Sequence, residues 1–494
     1  MTQKSLSVSF QLKVYFIIVI SLTAQSSLAS RYTMNDIFNM KLEELTEINV
    51  EVDVTSSGGV ENIIYTPNIV SIYNVADMQA LGLTQTSDIL NFIPGLRFLE
   101  TNSQGQALFR GFPEAFNQKV LFLIDGVPYS NASHGDLAVD AVPMSTIEKI
   151  EVIRGPGTVI FGTNANSGVI NIVTKKTMNG WHVEFGEHSR KQVEASFSGE
   201  IFDGQFLFSM SHQSEDGYLG LYENKPVPAS YPVGTPTTGL APRNRDYDIA
   251  LLKYNSASFN VLAQSYTSQY GSLAGVVTVI NRAQIHNDGY LLHLDKILGE
   301  SGNQWRFYTD YNNFYPSFET ENAIGNGTID GTLGFSNGGE DNFRFRAGVS
   351  HEYELDPSLG LFFGVESEKR STGAYDLRDK QGVLVFNLMP EDENRENSMF
   401  GQFDWKKDKW RMILGGRWTD NNKFGSQFNP RTSLVYHLAD GKSIKILRAS
   451  GFSSPVFVQT SINIPNSIVG DSNVKPEVIT TTDLAYNYVN KNSL

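Results

Sequence analysis

The rhythm of hydrophobic and polar positions changes near residue 178. Downstream of it strict alternation dominates, most clearly in FRFRAGVSHEYEL (residues 343–355). Phe343, Phe345, Ala347, Val349, Tyr353 and Leu355 fall on one side of an extended chain, with His351 the exception among them. Arg344, Arg346, Ser350, Glu352 and Glu354 take the other side, because successive side chains of a strand point to opposite faces. VEASFSGEI (193–201) repeats the pattern, as does WRMILGGRW (410–418) less cleanly. A charged face opposite an aromatic one predicts strands lying between lipid and a wet lumen. A β-sandwich also alternates, but its strands share one core. Strands of about ten residues, with Trp181, Trp305, Trp405 and Trp410 near their ends, favour a transmembrane β-barrel.

Polar segments 213–247, 316–342 and 371–398 are too long for tight hairpins and predict extracellular loops. The Asp440-Gly441-Lys442 link predicts a short periplasmic turn. Upstream, residues 30–177 read as a compact α+β domain. KVLFLIDGVPY (119–129) and IEKIEVIRG (147–155) predict strands that end in Gly/Pro turns. TSDILNFIPG (86–95) predicts a short helix capped by Thr86 or Ser87, with Leu90 and Ile93 at helical spacing and Pro94-Gly95 stopping it.

The first 29 residues have the form of a secretory signal peptide. Lys4 and Lys13 accompany the apolar run YFIIVISL (15–22), and Ser27-Leu28-Ala29 offers a small-residue cleavage site. Beyond them no stretch approaches the ~18 apolar residues of a membrane-spanning helix. An exported chain of this kind is periplasmic, secreted or an outer-membrane barrel.

Charge and composition narrow the functions. With 53 acidic against 39 basic residues the net charge is −14, which argues against nucleic acid and against wholesale binding to anionic lipid. The absence of cysteine removes disulfides and thiolate zinc sites. Abundant Phe, Tyr and Gly suit β-structure with many turns. GPGTVIFGT (155–163) superficially resembles a phosphate-binding loop but lacks its closing lysine, so its glycines are read as turns. His182, Glu184 and His188 share strand parity with Glu187 nearby, yet without constrained ligand spacing a solvated strand and turn is the preferred reading. No GxSxG motif or catalytic triad can be assembled, and neither an enzyme, a cofactor nor a resident metal is expected.

Four motifs in order then carry a resemblance: ILNFIPGL (89–96), FRGF (109–112), VLFLIDGVPY (120–129) and IEKIEVIRGPGTVIFGTNANSGVINIVTKK (147–176). Together they closely resemble the plug domain of TonB-dependent receptors. The matching positions are Pro94, Gly95, Arg110, Gly111, Asp125, Gly126, Arg154, Gly155, Pro156, Gly168 and Asn171. The resemblance implies a plug filling a 22-stranded barrel, with ligand bound outside on plug apices and loops. It places Arg110 and Arg154 packing or pairing near the barrel wall, and Asp125-Gly126 in a hairpin turn with φ > 0. These residues are expected to maintain the plug rather than touch ligand.

LEELTEINVEVDVTSS (42–57) resembles the family's energy-coupling segment, the TonB box. Ile48, Val50, Val52 and Val54 alternate with Asn49, Glu51 and Asp53, so the segment can add as a strand to the sheet edge of a periplasmic TonB protein. The rival reading makes it the plug's first strand. FNPRTSLVYHL (428–438), LRASGFSSP (447–455) and SNVKPEVITTTDLAY (472–486) resemble successive barrel motifs. Haem-uptake members typically carry a histidine between the last two, and none lies between Pro455 and Ser472.

The expected organisation is therefore a signal peptide (1–29), a periplasmic segment (30–60), a plug (61–177) and a barrel (178–494). At family loop lengths the last part supplies only about 14 strands, so an incomplete barrel is expected. The resemblance implies uptake of a scarce, bulky nutrient across the outer membrane of a Gram-negative bacterium, with lipid and TonB as partners. A ferric siderophore is the expected extracellular ligand by family frequency. Cobalamin, a carbohydrate, an adhesin or phage-receptor role and an inert remnant stay open as alternatives.

Overall fold

The computed structural model describes residues 51–52, 61–63, 66–100, 105–109, 111, 117–135, 137–217, 219–222, 239–242, 244–272, 283–321, 332–336, 341–378, 381–439, 442–464 and 468–488. All of them lie within one compact unit, Val50–Val489. The signal-peptide expectation falls outside the described residues.

The plug is built on a five-stranded sheet in the order Ile69–Asn74, Ile147–Arg154, Gly168–Thr174, Val120–Ile124, Val127–Pro128. Val120–Ile124 and Gly168–Thr174 pair in parallel and are buried throughout, as unbroken apolar strands covered on both faces must be. Asp125 (φ 48°) and Gly126 (φ 80°) turn the chain into Val127–Pro128, because two consecutive left-handed residues match the twist of the strands they join. The helix Thr86–Phe92 forms where expected and stops at Pro94-Gly95, with Gly95 at φ 78°. Its cap differs from the expectation. Gln85 is the N-cap, and no side chain closes the end. Thr86 and Ser87 are already helical and buried, and the Thr86 hydroxyl faces the Met144 sulfur instead.

After the plug, among the described residues, a single antiparallel sheet of seventeen strands runs from Gly180–Phe185 to Glu477–Tyr488. Three of the seventeen are short inserts (Thr332–Ser336, Tyr375–Arg378 and Leu384–Met389), which leaves fourteen wall strands in simple up-and-down order. Turns 202–203, 257–258, 301–302, 357–358 and 408–409 lie at one end of this wall, and the longer connections lie at the other. Short turns on the periplasmic side and long loops outside are the rule for outer-membrane barrels. Among the described residues the first and last wall strands do not pair with each other, so the sheet is not closed.

The strands are longer than expected. Ala283–Glu300 has 18 residues and Asn303–Glu321 has 19, so segments assigned to loops are partly strand. Within 371–398 the chain forms Tyr375–Arg378, Leu384–Met389 and the start of Asp392–Lys407. Within 213–247 it adds the hairpin of Leu219–Tyr222 with Gly239–Pro242.

Burial along the wall is the reverse of a soluble sheet. Phe345 is 44% exposed while Arg344 and Arg346 are 7% exposed. Lys191–Ile201 repeats this, with Gln192, Glu194, Ser196 and Ser198 buried and Val193 and Phe197 outside. The polar face receives the plug and the apolar face is left for lipid. His351, the exception to the alternation, stacks on Trp305 with ring centroids 4.1 Å apart and meets the edge of Phe363. It belongs to an aromatic belt near the short-turn end.

Candidate functional site at the plug–wall interface

The Asp125-Gly126 turn is the hub of one polar network. Asp125 accepts hydrogen bonds from the Thr174 amide (2.8 Å) and hydroxyl (2.5 Å), and the wall residue Lys253 reaches its Oδ2 at 2.9 Å. Lys253 also donates to the Thr174 carbonyl and hydroxyl. The Gly126 amide donates to Asn171 Oδ1 at 2.9 Å, and Asn171 Nδ2 donates to the fully buried Glu151, which pairs with Lys149. A carboxylate removed from water is tolerable only with its oxygens engaged, which explains why three plug strands converge here.

Higher on the wall, strand register lines up His293, Asp310, Arg346, Glu368, Glu396 and Asn421 as direct cross-strand neighbours. Asp310 is bonded by His293 and Arg346. Glu368 is held by Arg344 and Arg370, each at 2.5 Å, and Glu366 by Arg417 at 2.6 Å and the Tyr308 hydroxyl at 2.6 Å. Four carboxylates thus face four guanidiniums on the plug side of the wall. Two of these arginines meet the plug. Arg344 donates to the Pro128 carbonyl, and Arg417 lies so close to Gly162 that a Cβ there would stand 3.1 Å from its Nη2.

At the long-loop end, residues 131–135 form a turn closed by Asn131 Oδ1, which accepts from the amides of Ser133 and His134. Two outer segments cover it. The Tyr375 hydroxyl is 2.8 Å from His134 Nδ1, and the Val458 amide, in the helix Phe457–Ser461, donates to the Ser133 carbonyl. Tyr375, Leu388, Met389, Phe457 and Val458 pack there as one apolar cluster. Burial lowers the His134 imidazole to about 4, since a charged ring would have to give up its hydration.

Several motif residues are brought together and others are not. Asp125, Gly126 and Asn171 share the hub. Arg154 turns inward, donating to Ser71 and to the Pro94 carbonyl, so its hydrogen bonds tie the plug to itself. Its neighbour Gly155 (φ 90°) does face the wall, beside Asp483 and Thr481, and Pro156 is buried. Gly168 lies against the Phe109 ring and the Ile153 carbonyl, and Gly111 adopts φ 75°. Arg110 lies outside the described residues.

Of the coupling segment, Glu51–Val52 pairs with Glu61–Asn62 in a sheet of two strands separate from the plug's central sheet. Ile48, Asn49, Val50, Asp53 and Val54 lie outside the described residues. His182 meets Glu184, which Arg190 also bridges, and among the described residues no cluster of metal-ligating side chains occurs. No sequence motif identifies Lys253, Glu366 or Arg417. Their even spacing with other polar wall residues marks the inner face but not the partner.

Comparison with known proteins gives the context. Residues 62–169 match the TonB-dependent receptor plug domain model, and residues 189–494 match the TonB-dependent receptor-like β-barrel model. The chain is 22% identical over 427 residues to the vitamin B12 transporter BtuB of Vibrio vulnificus, covering 84% of this chain and 64% of that protein. It is 22% identical over 475 residues to the iron-regulated outer membrane virulence protein of Vibrio cholerae, covering 90% and 67%. The chain thus spans about two thirds of the length of these relatives. Among solved structures, the siderophore receptor PirA from Acinetobacter baumannii aligns with TM-score 0.63 at 19% identity over 89% of this chain and 70% of that one. A ferric enterobactin receptor variant from Pseudomonas aeruginosa aligns with TM-score 0.64 at 17% identity, over 86% and 70%.

Proposed function

Because the chain belongs to the TonB-dependent outer-membrane receptors, we propose that it takes up a scarce, bulky nutrient across the outer membrane, energised by TonB, and that this nutrient is a ferric siderophore. The observation that carries the reading is the character of the plug's attachment. Lys253, Arg344 and Gln264 hold the plug by hydrogen bonds and an ion pair, and apolar contact is gathered in one patch where Ile249, Leu251, Leu262, Tyr266, Leu291 and Phe314 of the wall join the plug's core. Polar contacts exchange for water at small net cost, so resistance to a shift of the plug is concentrated in that patch. An apolar seal running round the whole interface would oppose the shift by a far larger burial energy.

Energy has to arrive mechanically, because the outer membrane has no nucleotide supply. The segment around Glu51–Val52 precedes the plug and stands apart from its central sheet, which suits a strand offered to a periplasmic partner. The siderophore assignment takes its support from the named ligands of structural neighbours, and cobalamin is the rival that the BtuB match supplies.

The test is growth of a strain lacking its own receptors, expressing this chain, on limiting iron with a panel of ferric siderophores and separately on limiting cobalamin. Growth on a ferric siderophore only when TonB is present is the expected result. Growth on cobalamin alone would replace the substrate class, and growth independent of TonB would overturn the coupling.

A further inference from the structure

The stretch between the Glu51–Val52 hairpin and the plug's first strand is gripped by the wall. Lys445 Nζ donates to the carbonyls of Ile63 (2.9 Å) and Asn68 (3.2 Å). Arg431 Nη2 donates to Asn68 Oδ1 at 2.6 Å and reaches the Pro67 carbonyl at 3.5 Å, while Ser433 Oγ donates to the same carbonyl at 3.2 Å. Lys445 and Ser433 are fully buried and Arg431 nearly so. The three donors come from adjacent wall strands, Gly425–Ala439 and Lys442–Ser453, whose register turns them to one face.

Two features make this more than packing. The buried Lys445 ammonium is spent here on two main-chain carbonyls, which holds the path of the backbone whatever side chains it carries. The next element, Ile69–Asn74, is the edge strand of the plug sheet and, among the described residues, pairs only with Ile147–Arg154. A pull from the N-terminal side therefore loads the carbonyl contacts first, and after them the hydrogen bonds of one edge strand.

We infer that Lys445, positioned with Arg431 and Ser433, is a mechanical catch whose release lets a pull on the N-terminal segment reach the plug's edge strand. This rests on the TonB-coupled reading above. Lys445→Met removes the ammonium and keeps the apolar stem, whereas Lys445→Arg keeps a cation at the same place.

The experiment follows amide hydrogen exchange of the full chain in outer membranes without TonB, alongside TonB-dependent uptake in cells. For Lys445→Met, exchange across residues 69–74 is expected to rise about tenfold, as loss of charge-assisted bonds allows, with residues 120–124 and 168–174 unchanged. Lys445→Arg should restore most of the protection, and uptake by Lys445→Met should persist at a weaker proton-motive force than the unaltered chain needs. Unchanged exchange in Lys445→Met, or exchange raised across plug and wall alike, overturns the catch while leaving coupling intact. TonB-independent uptake by the unaltered chain overturns the coupling reading and the catch with it.

Discussion

Lys253 of the wall stands 2.9 Å from Asp125 in the plug's hairpin turn, and both side chains are largely shielded from water. This pair joins a motif residue of the plug to a wall residue that no motif identifies. Lys253→Met should loosen the base of the plug, at a cost of about 1–3 kcal/mol, because Asp125 keeps only its two bonds from Thr174. Limited proteolysis of outer membranes should then cut within the plug sooner while the wall stays resistant. Equal cutting rates would show that the pair does not hold the plug.

Gly168 has no room for a methyl group. A Cβ there would lie 2.8 Å from the Phe109 ring and 2.9 Å from the Ile153 carbonyl, and the carbonyl belongs to a paired strand. Gly168→Ala should destabilise the plug by about 1–3 kcal/mol, seen as a lower urea midpoint for plug protection. Gly111→Ala meets nothing within 4 Å among the described residues and should cost the strain of its φ of 75°, about 1–2 kcal/mol.

Arg417 and Glu366 should behave as a coupled unit. Arg417→Met leaves a buried carboxylate with one fewer cation and should cost about 3–5 kcal/mol. Adding Glu366→Gln should recover part of that loss, so a double-mutant cycle by urea unfolding should return a coupling of about 1 kcal/mol or more. Additive losses would mean that the two side chains are independent.

The contact between His134 and Tyr375 should weaken in acid. With the buried imidazole lowered to about 4, the covered plug turn holds it neutral, whereas a freed His134 titrates near 6.5. Above about 6.5 neither form takes up a proton, so the contact is at full strength there. As pH falls from 6.5 toward 4, the freed form gains a proton that the covered form refuses, and covering is progressively lost. Hydrogen exchange over residues 131–135 should rise between pH 7.5 and pH 5 beyond the intrinsic pH effect, and His134→Asn should abolish that rise. A rise that persists in His134→Asn would assign the effect to another group.

The wall was legible because lipid on one side and a plug on the other impose a period of two that composition cannot hide, as Phe345 beside Arg346 shows. The Asp125-Gly126 turn was legible because few residue pairs tolerate two left-handed conformations. Strands such as Leu384–Met389 were not, since strands beyond the membrane have no lipid face to enforce alternation. The helix cap misled for a related reason. Thr86 suits an N-cap locally, but tertiary packing against Met144 claims its hydroxyl. Partners such as Lys253 and Lys445 are set by how the plug docks, and the spacing of residues along one strand does not encode that.

The arrangement underlying every step is a wall with lipid on its aromatic side and the plug on its charged side, and the chain's lack of cysteine allows a direct measurement. Phe345→Cys and Ser350→Cys, on one strand but on opposite faces, would be exposed in outer membranes to a lipid-dissolved maleimide and to a membrane-impermeant one. Phe345→Cys is expected to label from lipid alone, and Ser350→Cys to stay unlabelled until urea frees the plug. Labelling of both positions by the impermeant reagent in the native state, or of Ser350→Cys from lipid, would contradict that arrangement.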